Sequence, residues 1–522
     1  MSDEEVKASP VVSLKSLNDA EPADPRRVLR KLDWHLLPFI SLLYLLAFLD
    51  RTNIGNAKIA GLTGDLGLTG LQFNLCSALF FIPYCTLVMP SNLALKYFKP
   101  SRWIPLIMFC WSIILICMAF VKNYAGLLMC ASPSFIKHGL TLLDSVRIFL
   151  GIAEAGLFPG LTFYVCLWYP RSAQAGRLSI YMSAATAAGA FGGILAYGIE
   201  RMNGIGGLAG WSWIFLLEGL FTALVAIAAF FYMQDFPETA TFLTPAERDW
   251  LVQTLKEDTA ASSKVIKREY LIQALKNPHA YILACIDFFI VVAFYAFALF
   301  LPTIIVGLGY SSLHAQLLTV PPNICGCIFT VLFGTMSDRV GMRGPFVLLG
   351  ALLSLVGYVM LFTTTSPIVG YVGTLIAACG LNPSSACAIA WVGGNSGGDV
   401  KRGSMIAIVS GIGNSGAIVA SFIYRSQDSP RYHPGHATNI AASCIVATMS
   451  IVAMFEFSRM NREKHAYCVR EGIEADRIEE FHELGDKSPL YRWAHLPEDV
   501  HDISSQLDDV GKVHTIAMRP RW

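Results

Sequence analysis

Twelve stretches of about 20 mainly apolar residues recur along this chain, and no other feature limits its fold so strongly. They lie near 34–54, 72–94, 103–121, 146–168, 178–199 and 211–233, then near 280–306, 313–335, 345–363, 367–392, 403–424 and 437–458. In lipid, every backbone N–H and C=O must be satisfied internally, so such runs are read as spanning helices. Strand-like alternation is absent from them, which excludes a membrane barrel. The expected class is an all-α membrane protein with twelve spans. Composition agrees: only 15% of residues are charged, against about 25% in soluble proteins. A net charge of +1 predicts no nucleic-acid partner.

The spans fall into two groups of six. Residues 1–33 form a polar N-terminal tail, 34–233 the first bundle, 234–279 a polar central loop, 280–458 the second bundle and 459–522 a charged C-terminal tail. The links at 307–312 and 364–366 are so short that the helices they join must be antiparallel. Within the central loop, "TPAERDWL" reads as a helix start, with Thr244 as N-cap and Pro245 at the first helical position. Lys and Arg set the sidedness. With the N-terminus in the cytosol, the short loops alone hold nine basic residues inside and six outside. Both tails and the central loop are then expected to be cytosolic. No signal peptide is read before the first span, which must itself direct insertion. The cysteines are scattered without metal-ligand spacing, and Cys325 and Cys327 read as small helix-packing residues.

Charge inside the spans carries the functional signal. In "LLYLLAFLDRTNIGN", 42–56, Asp50 and Arg51 are adjacent in the first span. A charge at mid-membrane costs roughly 3 kcal/mol on insertion scales, so two in succession need a reason. In "RIFLGIAEAGLFPG" of the fourth span, Arg147 and Glu154 are two helical turns apart and share one face. Gly151, Ala153, Ala155 and Gly156 around them permit close helix approach. Counting about 1.5 Å per residue puts both sets at similar depth. Two acids and two bases on two helices can neutralise one another. One reading is a fixed ion-pair network that locks helices. The other is a carboxylate-binding and proton-relay site. An arginine fork binds a carboxylate, and the same arginine controls whether a neighbouring acid stays ionised. In that reading Arg51 and Arg147 bind substrate, while Asp50 and Glu154 carry the proton. Tyr44, Asn53, Tyr295, Trp391 and Asn395 are candidates to shape the pocket. Asp287 and Glu218 are further intramembrane acids, and Glu218 reads as a structural acceptor between helices.

One loop carries a family signature. "GTMSDRVGMR", 334–343, resembles the G-x-x-x-D-R-x-G signature of major facilitator transporters. The family's stronger copy follows the second span, where this chain has "SNLALKYFKPSR" instead. That departure is similar to the fungal anion:cation symporter branch, the allantoate and nicotinate permeases. "LDRTNIGNAKIAGL", "DFPETATFLT", "SFIYRSQDSPRYHPGHA" and "ELGDKSPLYR" also resemble that branch, over nearly the whole chain. The resemblance implies two six-helix bundles that rock about a midplane site, with Asp50, Arg51, Arg147 and Glu154 in anion binding and proton coupling. It implies a cytosolic gating contact at Gly334, Asp338, Arg339 and Gly341. "CASPSFIKHGLTLLDSV", 130–146, has no counterpart in the family pattern; an external loop and a translated intron are the two readings.

The expected function is proton-coupled uptake of a small organic anion, nicotinate or a related carboxylate, by a plasma-membrane transporter that works as a monomer. Its partners are the anionic substrate, protons and the bilayer. No cofactor, metal or catalytic residue is expected. A nutrient sensor of the same fold with little flux is the alternative, with the tail beyond 459 as its signalling element. A channel would need a continuous polar stripe, and an enzyme a nucleophile–base or metal motif; neither is seen in the sequence.

Overall fold

A computed structural model describes residues 24–121, 142–260, 277–395 and 399–472. The spans are helices at Pro25–Ala57, Gly70–Tyr97, Pro100–Ala119, Leu142–Glu154 with Leu157–Trp168, Arg171–Glu200 and Gly210–Tyr232. The second six are Pro278–Gly307, Ser312–Leu318 with Val320–Val340, Gly344–Thr363, Pro367–Gly394, Asp399–Asn414 with Gly416–Ala420, and His433–Glu471. They are numbered here as spans 1 to 12. Among the described residues, eleven are long and apolar enough to cross a membrane. Span 11 is two helices that meet at Ser415, and Ile408–Ala420 is its apolar stretch among the described residues. Gly416 explains the tolerance of that break: a Cβ there would sit 2.6 Å from the Phe288 carbonyl oxygen, so span 11 is pressed onto span 7.

The two halves repeat one packing plan. Span 1 packs on 5, 3 on 6 and 2 on 4. Six spans later the same pairs recur, 7 on 11, 9 on 12 and 8 on 10. Across the halves the contacts are also paired by this repeat: span 5 meets span 8, span 2 meets span 11, and span 1 meets span 7. Small residues set these approaches. At Gly55 an added Cβ would overlap the Leu299 carbonyl, and at Gly189 it would lie 2.5 Å from the Asn323 side chain.

Span 1 begins nine residues before the apolar run at 34, because "PRRVLRK" is itself a good helix start. Asp24 caps it, accepting from the Arg26 N–H at 3.0 Å, and Pro25 is pre-set for the first turn. This extension is held by Asp33, which accepts from Arg177 Nε at 2.9 Å and Nη2 at 2.8 Å. Lys31 bonds Glu247 at 2.8 Å. Glu247 belongs to the expected central helix, Pro245–Ala260. Thr244 and Glu247 close a capping box there, at 2.9 and 3.4 Å. Burial alone would push the Glu247 carboxyl up, but Lys31 and the Thr244 donors outweigh it and hold it below its ordinary range.

The halves come together at the end of the molecule away from the start of span 1 and the last turns of span 12. Asn74 donates to the Tyr424 carbonyl at 3.4 Å, and Ser312 donates to the Ile59 carbonyl at 2.7 Å and to Glu200 at 3.3 Å. Phe73 and Phe300 meet there edge to face. One apolar core joins both halves there and continues through the first half to Val28 and Leu251 at its other end. A separate core, built on Ala280, Phe333, Trp391, Met405 and Phe457, belongs to the second half alone and lies toward the opposite face. Residues 130–141 of the unmatched segment lie outside the described residues, and 142–146 open the span 4 helix.

Candidate functional site

Adjacent residues on a helix point about 100° apart, so Asp50 and Arg51 cannot face the same neighbours. Arg51 turns toward the seam between the halves. Its Nε donates to Glu154 Oε1 at 3.0 Å, and its Nη2 donates to the same oxygen. Its Nη1 donates to the Tyr295 hydroxyl at 2.7 Å. Tyr295 lies on span 7, so this guanidinium ties one half to the other. Aromatic rings enclose it, with Tyr84 at 4.5 Å, Phe80 at 5.4 Å and Phe48 at 5.9 Å from its carbon. Both members of the pair are dry, Arg51 at 6% and Glu154 at 1% exposure.

Glu154 is presented by a break in span 4. The helix ends at Glu154, Ala155 and Gly156 turn, and a second helix starts at Leu157. Pro159 has no N–H to return to the Ala155 carbonyl, which loosens the ladder at this point. The small residues act as their pattern predicts. A Cβ on Gly151 would overlap the Phe80 carbonyl, and one on Gly156 would overlap Ser91. Span 4 therefore lies against span 2 with its acid at the seam. Glu154 Oε2 has no hydrogen-bond partner, so one oxygen is committed to Arg51 and the other is open.

Asp50 turns the other way, into the first bundle. Its Oδ2 accepts from Trp111 Nε1 at 3.1 Å and from Thr222 Oγ1 at 3.2 Å, while Oδ1 has no partner. Arg147 is 1% exposed, has the Cys76 thiol as a polar neighbour, and leaves Nε and Nη2 without partners. The charges of Asp50, Arg147 and Glu154 remain close enough to act on one another. The expected layer of two acids and two bases is therefore present, but it is not two ion pairs. Among the described residues the one salt bridge in it is Arg51–Glu154.

The remaining candidates divide. Tyr44 lies two turns from Arg51 on the same side of span 1, edge to face with Tyr181 at 5.2 Å, and extends the aromatic wall. Asn53 is fully buried with neither amide atom bonded, and it shares the face of Asp50 rather than that of Arg51. Trp391 is not at the pocket. It is fully buried in the second half's own core, against Phe457 at 5.9 Å and beside Gly344. Asn395 follows it as the C-cap of span 10, its N–H on the Trp391 carbonyl at 3.1 Å, at the end remote from the charged layer. Both were expected from residue type alone, and the helix register places them in packing roles instead.

In the signature loop, Gly341 ends span 8 in the left-handed conformation at φ 73°, with its N–H on the Ser337 carbonyl. Ser337 then donates to the Met342 carbonyl at 2.7 Å and accepts from Arg343 at 3.0 Å. Arg339 is exposed, and Gly334 stands in open space, so it serves no close packing there. The Asp338 side chain lies outside the described residues.

Two residues gain roles that sequence reasoning missed. Lys58 lies beyond the apolar run that ends near 54, but span 1 continues through it in a π-turn, Lys58–Leu62. Its ammonium is buried between Phe73 and Phe300, at 4.6 and 5.0 Å, one ring from each half. Glu218, expected as an acceptor between helices, is 5% exposed, and neither of its oxygens accepts a hydrogen bond. Asp287 is also buried, with Gly413 of span 11 laid directly against its carboxyl.

A family model described as Major Facilitator Superfamily matches residues 40–421. An uncharacterized transporter of Schizosaccharomyces pombe is 32% identical over 464 residues, covering 88% of this chain and 89% of that protein. The high-affinity nicotinic acid transporter of Saccharomyces cerevisiae is 30% identical over 476 residues, covering 90% and 86%. Among solved structures, a bacterial homolog of the human lysosomal transporter Spinster superposes with TM-score 0.60 at 18% identity, over 83% of this chain and 97% of that one.

Proposed function

The chain belongs to the Major Facilitator Superfamily, and on that premise we propose that it imports a small organic anion together with a proton. Nicotinate or a related monocarboxylate is the proposed substrate. The observation that carries this reading is the Arg51–Glu154–Tyr295 bridge between the halves. Arg51 offers the fork that a carboxylate needs, and the rings of Tyr44, Phe48, Tyr84 and Tyr295 suit a flat acid beside it. The similarity to a nicotinic acid transporter supports the same substrate class.

The coupling follows from competition for one guanidinium. Without substrate, Glu154 holds Arg51 through a single oxygen. A substrate carboxylate takes those donors and displaces Glu154. Deprived of its cation in a dry layer, Glu154 is then favoured as the neutral acid and takes up a proton. Anion and proton thus enter as a neutral pair, which lowers the cost of carrying charge across the midplane.

With the termini in the cytosol, the end at which the halves meet through Asn74, Ser312 and Tyr424 is the outer one, and it must part to admit substrate from outside. Release of substrate lets Glu154 return to Arg51, and the bundles rock back about the repeat-related contacts. The plasma membrane is the proposed location, with the protein acting as a monomer.

The test is uptake of labelled nicotinate and a panel of other carboxylates in a yeast lacking its own carriers. Accumulation that collapses with a protonophore, and is lost in Arg51→Lys, is expected. Uptake of neutral analogues with equal efficiency would refute the anionic reading.

A further inference from the structure

Glu218 presents a problem of charge. It lies on span 6 in a seam closed by spans 1 and 3. Thr222, one turn along on the same face, reaches Asp50 of span 1 with its hydroxyl. Trp111 of span 3 reaches the same Asp50 oxygen. The next residue, Gly219, is packed so tightly on span 3 that a Cβ would lie 2.9 Å from the Ile116 side chain and 3.1 Å from its backbone nitrogen. Glu218 is therefore buried at 5% exposure in a dry wedge, and its electrostatic neighbour there is Asp50.

Three carboxylate oxygens in this wedge, both of Glu218 and Oδ1 of Asp50, have no donor. The ionisable groups on the packed elements lie elsewhere. Arg51 is committed to Glu154. Lys58 sits between Phe73 and Phe300. Arg102 is in the first turn of span 3 and Glu200 in the last turn of span 5. Arg147 is close to Asp50, but it leaves Glu218 without a bond. An ionised carboxylate buried with neither cation nor donor costs several kcal/mol or more, and two neighbouring carboxyls in one dry site cannot both ionise. One of them must hold a proton, and Asp50 has the donors that an anion requires while Glu218 has none.

We propose that Glu218 is a proton-binding residue of this transporter, held neutral against an ionised Asp50 across the seam between spans 1 and 6. A proton from water adds to one Glu218 oxygen when the seam is wet and returns to water when it reopens. Asp50 is its positioning partner and lies beside Arg147, so the site shares the electrostatics of the Arg51–Glu154 layer without touching the substrate. This inference rests on the proposed proton coupling, but it is testable without a substrate.

The test is infrared difference spectroscopy of the full-length protein in lipid nanodiscs across a pH series. The wild type should show the carbonyl band of a protonated acid, and Glu218→Gln should abolish that component while Glu154→Gln keeps it. Glu218→Asp, which retains the carboxyl on a shorter arm, should shift the titration rather than remove it, and it serves if Glu218→Gln fails to fold. A band indifferent to both Glu218 substitutions overturns the assignment. The same variants are assayed for labelled nicotinate accumulation in a pH gradient, which Glu218→Gln should reduce to the equilibrium level. Gradient-driven accumulation unchanged in Glu218→Gln sinks the Glu218 role and leaves proton coupling standing. A lost band with no nicotinate uptake even in wild type supports Glu218 and sinks the substrate reading.

Discussion

Removing Glu154 alone should harm this protein far more than removing Glu154 together with Arg51. In Glu154→Leu, Arg51 loses its one salt-bridge partner among the described residues while remaining at 6% exposure. The layer is left with Arg51 and Arg147 against Asp50, which is already committed to Trp111 and Thr222. Breaking a buried pair by deleting one partner costs about 3–5 kcal/mol. For a bundle of this size, each kcal/mol is worth about 2–4 °C, so the fall in Tm should be roughly 6–20 °C. The double variant Arg51→Met with Glu154→Leu removes both charges. Replacing a buried pair by apolar side chains is often neutral or better. Against this stands the orphaned Tyr295 hydroxyl, costing about 1–3 kcal/mol. The double variant should therefore lie within about 3 kcal/mol of wild type by those same magnitudes, and above the single variant. Thermal unfolding of the detergent-purified variants, followed by tryptophan fluorescence, reads the difference. Equal losses in the single and double variants would refute the pairing, and so would a harmless Glu154→Leu.

Other perturbations follow from the same geometry. Tyr295→Phe strips a 2.7 Å bond from a charged donor; it should weaken nicotinate uptake by about 1.5–3 kcal/mol, read as a rise of one to two decades in KM, and an unchanged KM would remove Tyr295 from the site. Gly55→Ala places a methyl group into the Leu299 carbonyl, so the far end should fail to close; a cysteine introduced at Ser312 should then label faster with an impermeant thiol reagent, and unaltered labelling counts against the closure. Glu247 gives a pH dependence with a definite sign. Its folded-state pKa is lowered, so its stabilisation is full above the ordinary Glu value of about 4.3 and disappears as pH falls through the lower folded value. Glu247→Gln keeps a capping oxygen for the Thr244 N–H but loses the charge that faces Lys31 and the helix N-terminus, so it should lower Tm at neutral pH, by about 0.3–1 kcal/mol of stability, and make no difference in strong acid; a gap that persists in strong acid would contradict this.

Much of the architecture was legible from residue order. Lipid admits few backbone solutions, so apolar run length gave the spans, and "TPAERDWL" gave the central helix with its cap at Thr244. Three features were not legible. Span 1 starts early and runs past Ala57, because a polar helix end and a π-turn carry no hydropathy signal. Span 11 breaks where a glycine meets span 7, a contact made by residues more than 120 positions apart. Trp391 and Asn395 looked like pocket residues because chemistry was visible and helix register was not.

The sequence by itself determined that Asp50, Arg51, Arg147 and Glu154 would lie within the spans of the first half, the span 1 pair and the span 4 pair at overlapping depth, since the helical rise and the apolar run lengths fix how far each sits from its span end. Only the tertiary structure decided what each charge faces. Neighbours on a helix diverge by about 100°, so Arg51 turns to the seam, Glu154 and Tyr295, while Asp50 turns to Trp111, Thr222 and the unpartnered Glu218. That division depends on how spans 3, 4, 6 and 7 are rotated against span 1, and the rotation is set by packing between residues far apart in the chain.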